Sequence, residues 1–382
     1  MIKPYGSICN LRCQYCYYLA KKELYPNSNC KMNYETLEKF TQQYIEAQEV
    51  PEITFSWQGG EPTLMGIEFY ERAIQYQKKY NRKGIRIQNN LQTNGTLLTE
   101  DWARFFKKHN FLIGISIDGP SDLNDEYRVD NKGNPTSDQV LSGLANLKKH
   151  EVEFNILACV HAANEKYPLE VYKYLKNDLE ATFVQFIPVV ELNNDTKVAD
   201  FSVSGRHYGS FLQEIFEEWV KHDVGRIFIQ IFEVALAAWL NLPLNLCILA
   251  PTCGNALALE HNGDIYACDH FVKPQHFRGN LLQDHLREIV NSPVQKEFGI
   301  NKSLLLHPKC QQCEVRFVCN GGCPRNRFLS TEEGNSGLNY LCDGYKTFFS
   351  HIDPYMKYMA DQIRRNRPAS SIMDYLRENP IS

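Results

Sequence analysis

Cys9-Asn10-Leu11-Arg12-Cys13-Gln14-Tyr15-Cys16 spaces three thiols as C-x3-C-x2-C, with an aromatic directly before the third, just behind the short apolar run Ile2 to Tyr5. Three thiols are a ligand set with one ligand missing. A 4Fe-4S cluster held by only three thiolates keeps one iron open to an outside donor. The competing reading is a structural zinc site that uses these three as ligands.

Along the chain around this loop, six β-like runs alternate with helical ones. The strand candidates are Ile2 to Tyr5, Ile53 to Trp57, Ile85 to Gln92, Leu112 to Asp118, Glu153 to Val160 and Phe183 to Val190. Between them Leu37, Phe40, Tyr44 and Ile45, then Phe69, Ala73 and Tyr76, recur at helical spacing. This alternation predicts an α/β fold with parallel strands and helices outside, arranged as a partial (β/α)6 TIM-like barrel. In such folds the chemistry collects at the C-terminal strand ends and the loops behind them. The helical stretch Tyr208 to Lys221 closes this part, so a barrel domain is expected over 1–225 and a second, cysteine-rich domain with a C-terminal helical segment over 226–382.

The chain has 382 residues, 43% hydrophobic and 23% charged, enough for a large core, and a formal net charge of -4. No long Lys/Arg stripe accompanies that charge, which argues against a nucleic-acid partner. Val234 to Ala250 is the one run resembling a membrane span, but Asn241, Pro243 and Asn245 interrupt it, and it falls short of the roughly 20 apolar residues required. It reads as a buried helix ending near Pro243, with no membrane role. The eight residues before Cys9 leave no room for a secretory signal. A cytoplasmic location is expected, where the 13 cysteines serve metal ligation rather than disulfides.

Polar motifs sit behind the strand candidates in order. Gln58-Gly59-Gly60-Glu61-Pro62 combines two glycines that admit a close backbone approach with a carboxylate and a stiffening proline. Leu91-Gln92-Thr93-Asn94-Gly95-Thr96 and Ser116-Ile117-Asp118-Gly119-Pro120 follow the third and fourth strands. Each could be ordinary turn chemistry when taken alone. Farther on, Cys247-x5-Cys253, Gly263 and Cys268 precede Cys310-x2-Cys313-x5-Cys319-x3-Cys323 and Cys342. These eight thiols suffice for two sets of four, which zinc ribbons could also use. Cys159 lies among apolar neighbours and Cys30 in a Pro/Asn/Ser loop; they read as a buried thiol and a surface bystander.

The cysteine loop, the Gly-Gly-Glu-Pro segment and the later cysteines together resemble the radical S-adenosylmethionine superfamily with a SPASM twin-cluster extension, from Ile2 to about Tyr345. That resemblance implies that Cys9, Cys13 and Cys16 hold a cluster whose open iron binds S-adenosylmethionine. It implies cofactor contacts from Tyr15, Gly59, Gly60, Glu61, Asn94, Ser116 and Arg128, the last suited to a carboxylate by its planar fork. Many relatives carry a histidine where this chain has Asn124, four residues before that arginine. The family pattern assigns Cys247, Cys253, Cys268 and Cys323 to one auxiliary 4Fe-4S cluster and Cys310, Cys313, Cys319 and Cys342 to the other, making three clusters in all.

Within the superfamily the Cys247 to Cys253 step, Asp269 behind Cys268, and the Tyr17-Tyr18 pair are most similar to anaerobic sulfatase-maturating enzymes. The resemblance implies oxidation of a sulfatase Cys or Ser to formylglycine. A deoxyadenosyl radical takes the Cβ hydrogen, Asp269 takes the thiol or hydroxyl proton, and an electron leaves to an auxiliary cluster. Tyr18 and Gln92 are the implied substrate contacts, and flavodoxin or ferredoxin the implied electron donor. Asp269 could instead only accept backbone hydrogen bonds, and His270 and His276 read as plain surface residues. The nearer alternative is another peptide maturase of the superfamily, forming a thioether or a cofactor precursor. The more distant one is a zinc-stabilised interaction module or a simple electron carrier.

Overall fold

Helix α1, Tyr34–Glu46, opens where Asn33 accepts the Thr36 amide N–H and so satisfies one of the helix's free donors. It buries Leu37, Phe40 and Ile45, while the Tyr44 hydroxyl donates to the Thr54 carbonyl of strand β1, Glu52–Trp57. Helix α2, Ile67–Tyr80, leads to β2, Arg86–Thr93, and helix α3, Glu100–Lys108, to β3, Phe111–Ser116. The β1–β2 and β2–β3 pairs are parallel, with Trp57 beside Leu91 and Gln92 beside Gly114. The computed structural model describes residues 1–26, 28–193, 197–254, 256–331 and 334–379.

The chain divides into two compact units, one of residues 1–116, 125–155 and 255–299, the other of 117–124, 156–254 and 300–382. The first unit is built on β1, β2 and β3. Its core runs through Phe55, Trp57, Tyr70, Phe106 and Ile113, all fully buried. Each such side chain contributes about 1.5–3 kcal/mol relative to exposure. The buried Trp57 indole donates to Asn89, which Gln77 also holds. This unit also carries an antiparallel trio, Ala258–Leu259, Asp264–Tyr266 and Phe277–Asn280.

The second unit takes most of β4, Phe154–Val160, with β5, Phe183–Pro188, and a two-residue β6, Phe228–Ile229, all parallel. Its longest described helices, Gly205–His222 and Cys342–Arg364, cross at glycines. A Cβ on Gly344 would lie 1.9 Å from the Gly205 carbonyl oxygen. Phe216, Phe232, Phe348 and Trp219 fill the space around that crossing.

Two expectations change. Ile2 to Tyr5 does not form a strand: only Ile2 bridges, to Trp57 and Leu259. Pro4 has no N–H to donate, and the chain turns at once, Gly6 N–H reaching the Lys3 carbonyl with φ +52°. The missing strand is Phe228–Ile229, too short to show a period. The expected helix before Pro243 is Gln230–Trp239, ending earlier because Asn241 takes φ +57°. Among the described residues no helix is long and apolar enough to cross a membrane.

Candidate functional site

In the first unit the cysteine loop is pinned by its backbone. Arg12 and Gln14 N–H donate to the carbonyls of Val129 and Tyr127 at 2.8 and 2.9 Å. Gly60 and Glu61 N–H donate to Gly6 and Ile8 at 2.9 and 2.8 Å. A Cβ on Gly60 would stand 1.9 Å from the Ile8 carbonyl oxygen, so only glycine allows the two loops to lie together. Burial, then the charge of Glu61, pushes the free Cys9 thiol up to about 12, and burial raises Cys16 to about 11. The charges of Cys13 and Cys16 both act on Cys9. Three thiols gathered in one half-buried loop fit a cluster that replaces their protons with iron.

Glu61 is fully buried, and burial raises its pKa. One oxygen accepts from Thr63 N–H and from the Thr63 and Thr93 hydroxyls; the other accepts Asn94 N–H at 2.8 Å. It braces the loops behind β1 and β2. Asn94 turns its amide to Cys9 Sγ at 3.5 Å and to Asn10 at 2.9 Å. Gln92 donates to Ser116 Oγ at 3.0 Å, lying where a Cβ on Gly114 would come within 2.0 Å of it. Buried Arg128 donates to the Tyr15 hydroxyl at 2.7 Å.

Asp269 is buried at the centre of a charged cluster. Its Oδ1 meets Lys3 Nζ at 2.5 Å and Lys21 Nζ at 3.0 Å; its Oδ2 accepts the hydroxyls of Tyr17 and Tyr18 at 2.5 and 2.6 Å. Burial opposes charge on Asp269, but Lys3 and then Lys21 hold the carboxyl well below its usual range. The same burial, followed by the Asp269 charge, raises both phenols well above theirs. The two lysines fare differently. Lys3, between Asp269 and Glu260, stays raised against burial, whereas burial and the Lys3 charge bring Lys21 down to about 8 despite Asp269. Sequence reasoning missed both lysines; charged residues beside the apolar start and the cysteine loop were the available signal.

In the second unit Cys310, Cys313, Cys319 and Cys342 line one cavity with Arg316, Gly321, Asn339 and Lys346. Cys253 lies near Cys247 and Cys323, whose charges add to burial in raising its thiol. Asn320, Gly321 and Gly322, all with positive φ, form the tight loop between Cys319 and Cys323. Lys302 and Arg327 stand against these cysteine loops with no carboxylate partner among the described residues. Lys302 is buried and Arg327 half-buried; cations so withdrawn from water call for an anion, which a thiolate-held cluster supplies, so the donor set fits the group. Cys268 belongs to the first unit, one residue before Asp269. The two bystander cysteines are the reverse of expectation. Cys30 is buried beside Gly6 and His261, and Cys159 is only half-buried on β4.

Residues 4–175 match the Radical SAM superfamily, and 249–314 match an iron-sulfur cluster-binding domain. The chain is 43% identical to a serine-type anaerobic sulfatase-maturating enzyme of Bacteroides thetaiotaomicron, over 100% of this chain and 95% of the relative. It is 38% identical to a serine-type enzyme of Klebsiella aerogenes, over 92% and 84%. A solved structure described as native anSMEcpe with bound AdoMet and Cp18Cys peptide superposes with a TM-score of 0.85 at 33% identity, covering 94% of this chain and 98% of that one.

Proposed function

The chain belongs to the anaerobic sulfatase-maturating enzymes of the radical SAM superfamily, and from that membership we propose how its own residues divide the work. It oxidises a sulfatase Cys or Ser to formylglycine, with S-adenosylmethionine and three 4Fe-4S clusters as cofactors. The thioether-forming alternative is not favoured by these relatives.

In this reading Cys9, Cys13 and Cys16 hold the first cluster, and Tyr15, Gly59, Gly60, Glu61, Asn94, Ser116 and Arg128 shape the cofactor's seat. Cys247, Cys253, Cys268 and Cys323 hold one auxiliary cluster, and Cys310, Cys313, Cys319 and Cys342 the other. When bound, these groups supply a deoxyadenosyl radical for the substrate Cβ hydrogen and an outlet for the second electron. Gln92 and Tyr18 meet the peptide.

The observation that carries this reading is the Asp269 cluster. Lys3 and Lys21 neutralise Oδ1, so the carboxylate is ionised before the reaction, and Oδ2, which accepts only the neutral hydroxyls of Tyr17 and Tyr18, is the oxygen that takes the proton as one of those hydrogen bonds gives way. So strongly held a carboxylate is a weak base at rest. It suits a hydroxyl or thiol proton that the adjacent carbon radical has made acidic. The proton passes to Asp269 Oδ2 within hydrogen-bond reach of the tyrosines.

The partner is an extended sulfatase segment, with flavodoxin or ferredoxin as reductant, in the reducing cytoplasm where cluster thiols persist. Serine is the preferred target, since the 43% and 38% identical relatives are both serine-type. The test is anaerobic mass spectrometry of Ser-x-Pro-x-Arg and Cys-x-Pro-x-Arg peptides, with a hydrazine probe for the aldehyde. Conversion of both, with higher kcat/KM for serine, is expected. Aldehyde from neither, alongside cross-linking of a cysteine-rich peptide, would move the protein to the thioether class.

A further inference from the structure

We propose that Lys302 and Arg327 are fixed cations that ready the auxiliary-cluster sites to take the substrate's electron, Lys302 acting on the Cys247 side and Arg327 on both. The inference rests on the ligand assignment above and adds what sets the direction of electron flow.

Lys302 is 1% exposed, and its ammonium donates to the carbonyls of Cys247 at 2.6 Å, Ile248 at 3.1 Å and Ala250. Arg327 gathers the tight loop between Cys319 and Cys323, one ligand from each proposed set. Its guanidinium donates to the carbonyls of Gly321 at 3.0 Å, Asn320 at 3.0 Å, Gly322 at 3.3 Å and Lys302 at 2.7 Å. Neither cation has a carboxylate among the described residues, whereas neighbouring Arg325 is paired with Glu191. Carbonyl dipoles orient the buried Lys302 ammonium and the half-buried Arg327 guanidinium, but a charge withdrawn from water is balanced by an anion nearby. Burial works against both charges and lowers both pKa values; negative charge on Cys310, Cys323, Cys253 and Cys319 opposes that at Arg327, and on Cys253, Cys247 and Cys323 at Lys302.

Four thiolates outweigh the charge of an iron–sulfide cube, so a loaded site is an anion, and reduction adds one more negative charge. A cation fixed in a low-dielectric interior stabilises the reduced form more than the oxidised one, which raises the potential. The electron in question is the one released by the substrate's carbon radical as its O–H or S–H proton goes to Asp269. An oxidised auxiliary site becomes one-electron reduced, and the substrate reaches the aldehyde or thioaldehyde level.

The experiment is a potentiometric titration followed by electron paramagnetic resonance on reconstituted protein, with the Cys9, Cys13 and Cys16 to Ala background isolating the auxiliary signals. Arg327→Gln should shift both auxiliary midpoints to lower potential, and Lys302→Met only that of the Cys247 site, while Arg327→Lys, which keeps the charge, should stay near wild type. In the enzyme with its first cluster, formylglycine formed per deoxyadenosine should fall in the same order. Unmoved midpoints in Arg327→Gln and Lys302→Met, or an equal drop in Arg327→Lys, would overturn the proposal. Should Arg327→Gln fail to load iron, Lys302→Met carries the decision. Iron content separates the two levels: wild type holding only about four irons sinks the ligand assignment, whereas about 12 irons with unmoved midpoints sinks this inference alone.

Discussion

The Tyr18 hydroxyl donates to Asp269 Oδ2 at 2.6 Å across 251 positions of sequence, joining the segment behind Cys16 to the residue behind Cys268. Tyr17 reaches the same oxygen, and the two phenolic oxygens are 3.1 Å apart. Both loops that bear proposed cluster ligands are thereby tied to one carboxylate.

Asp269→Asn keeps the shape and removes the charge. Reductive cleavage to 5'-deoxyadenosine should persist, while formylglycine falls by about 10²- to 10⁴-fold, as for a lost general base. Chromatography of the nucleoside against peptide mass spectrometry measures the split. An undiminished product yield would leave Asp269 a structural role.

Tyr17→Phe and Tyr18→Phe each delete one charge-assisted hydrogen bond to Oδ2, worth about 1.5–3 kcal/mol. Each single variant should slow product formation by about 10- to 100-fold. If only Tyr18 meets the substrate, Tyr18→Phe alone should also raise KM. Equal KM effects in both would argue against a distinct contact by Tyr18.

Replacing Cys9, Cys13 and Cys16 together by Ala should lower iron from about 12 to about eight atoms per chain and abolish S-adenosylmethionine cleavage. Iron and sulfide analysis after anaerobic reconstitution reads this directly. An unchanged iron content would mean that the first site lies elsewhere.

Gly344→Ala drives a methyl to 1.9 Å from the Gly205 carbonyl oxygen at the helix crossing of the second unit. Overpacking of that kind costs about 1–3 kcal/mol, seen as a lower midpoint in thermal or urea unfolding. An unchanged midpoint would mean that the helices separate without penalty.

The cysteine loop, the Gly-Gly-Glu-Pro segment and the alternating apolar runs were legible because their information is local. A ligand spacing, a glycine pair or a helical stripe declares itself within about ten residues. The α/β class, the cluster chemistry and the family resemblance can therefore be read along the chain alone. Local pattern misread Ile2 to Tyr5 as a strand because its apolar residues ignore the donor that Pro4 lacks, and it passed over Phe228–Ile229 because two residues carry no period. It takes the folded chain to show that Lys3 and Lys21 share one oxygen of Asp269 and Tyr17 and Tyr18 the other, or that Arg327 gathers the loop between Cys319 and Cys323. Those relationships bring together charges more than 240 positions apart or fix carbonyl directions in left-handed backbone. Neither leaves a pattern along the chain: the interaction energy depends on distance and burial in space, and sequence separation does not encode either.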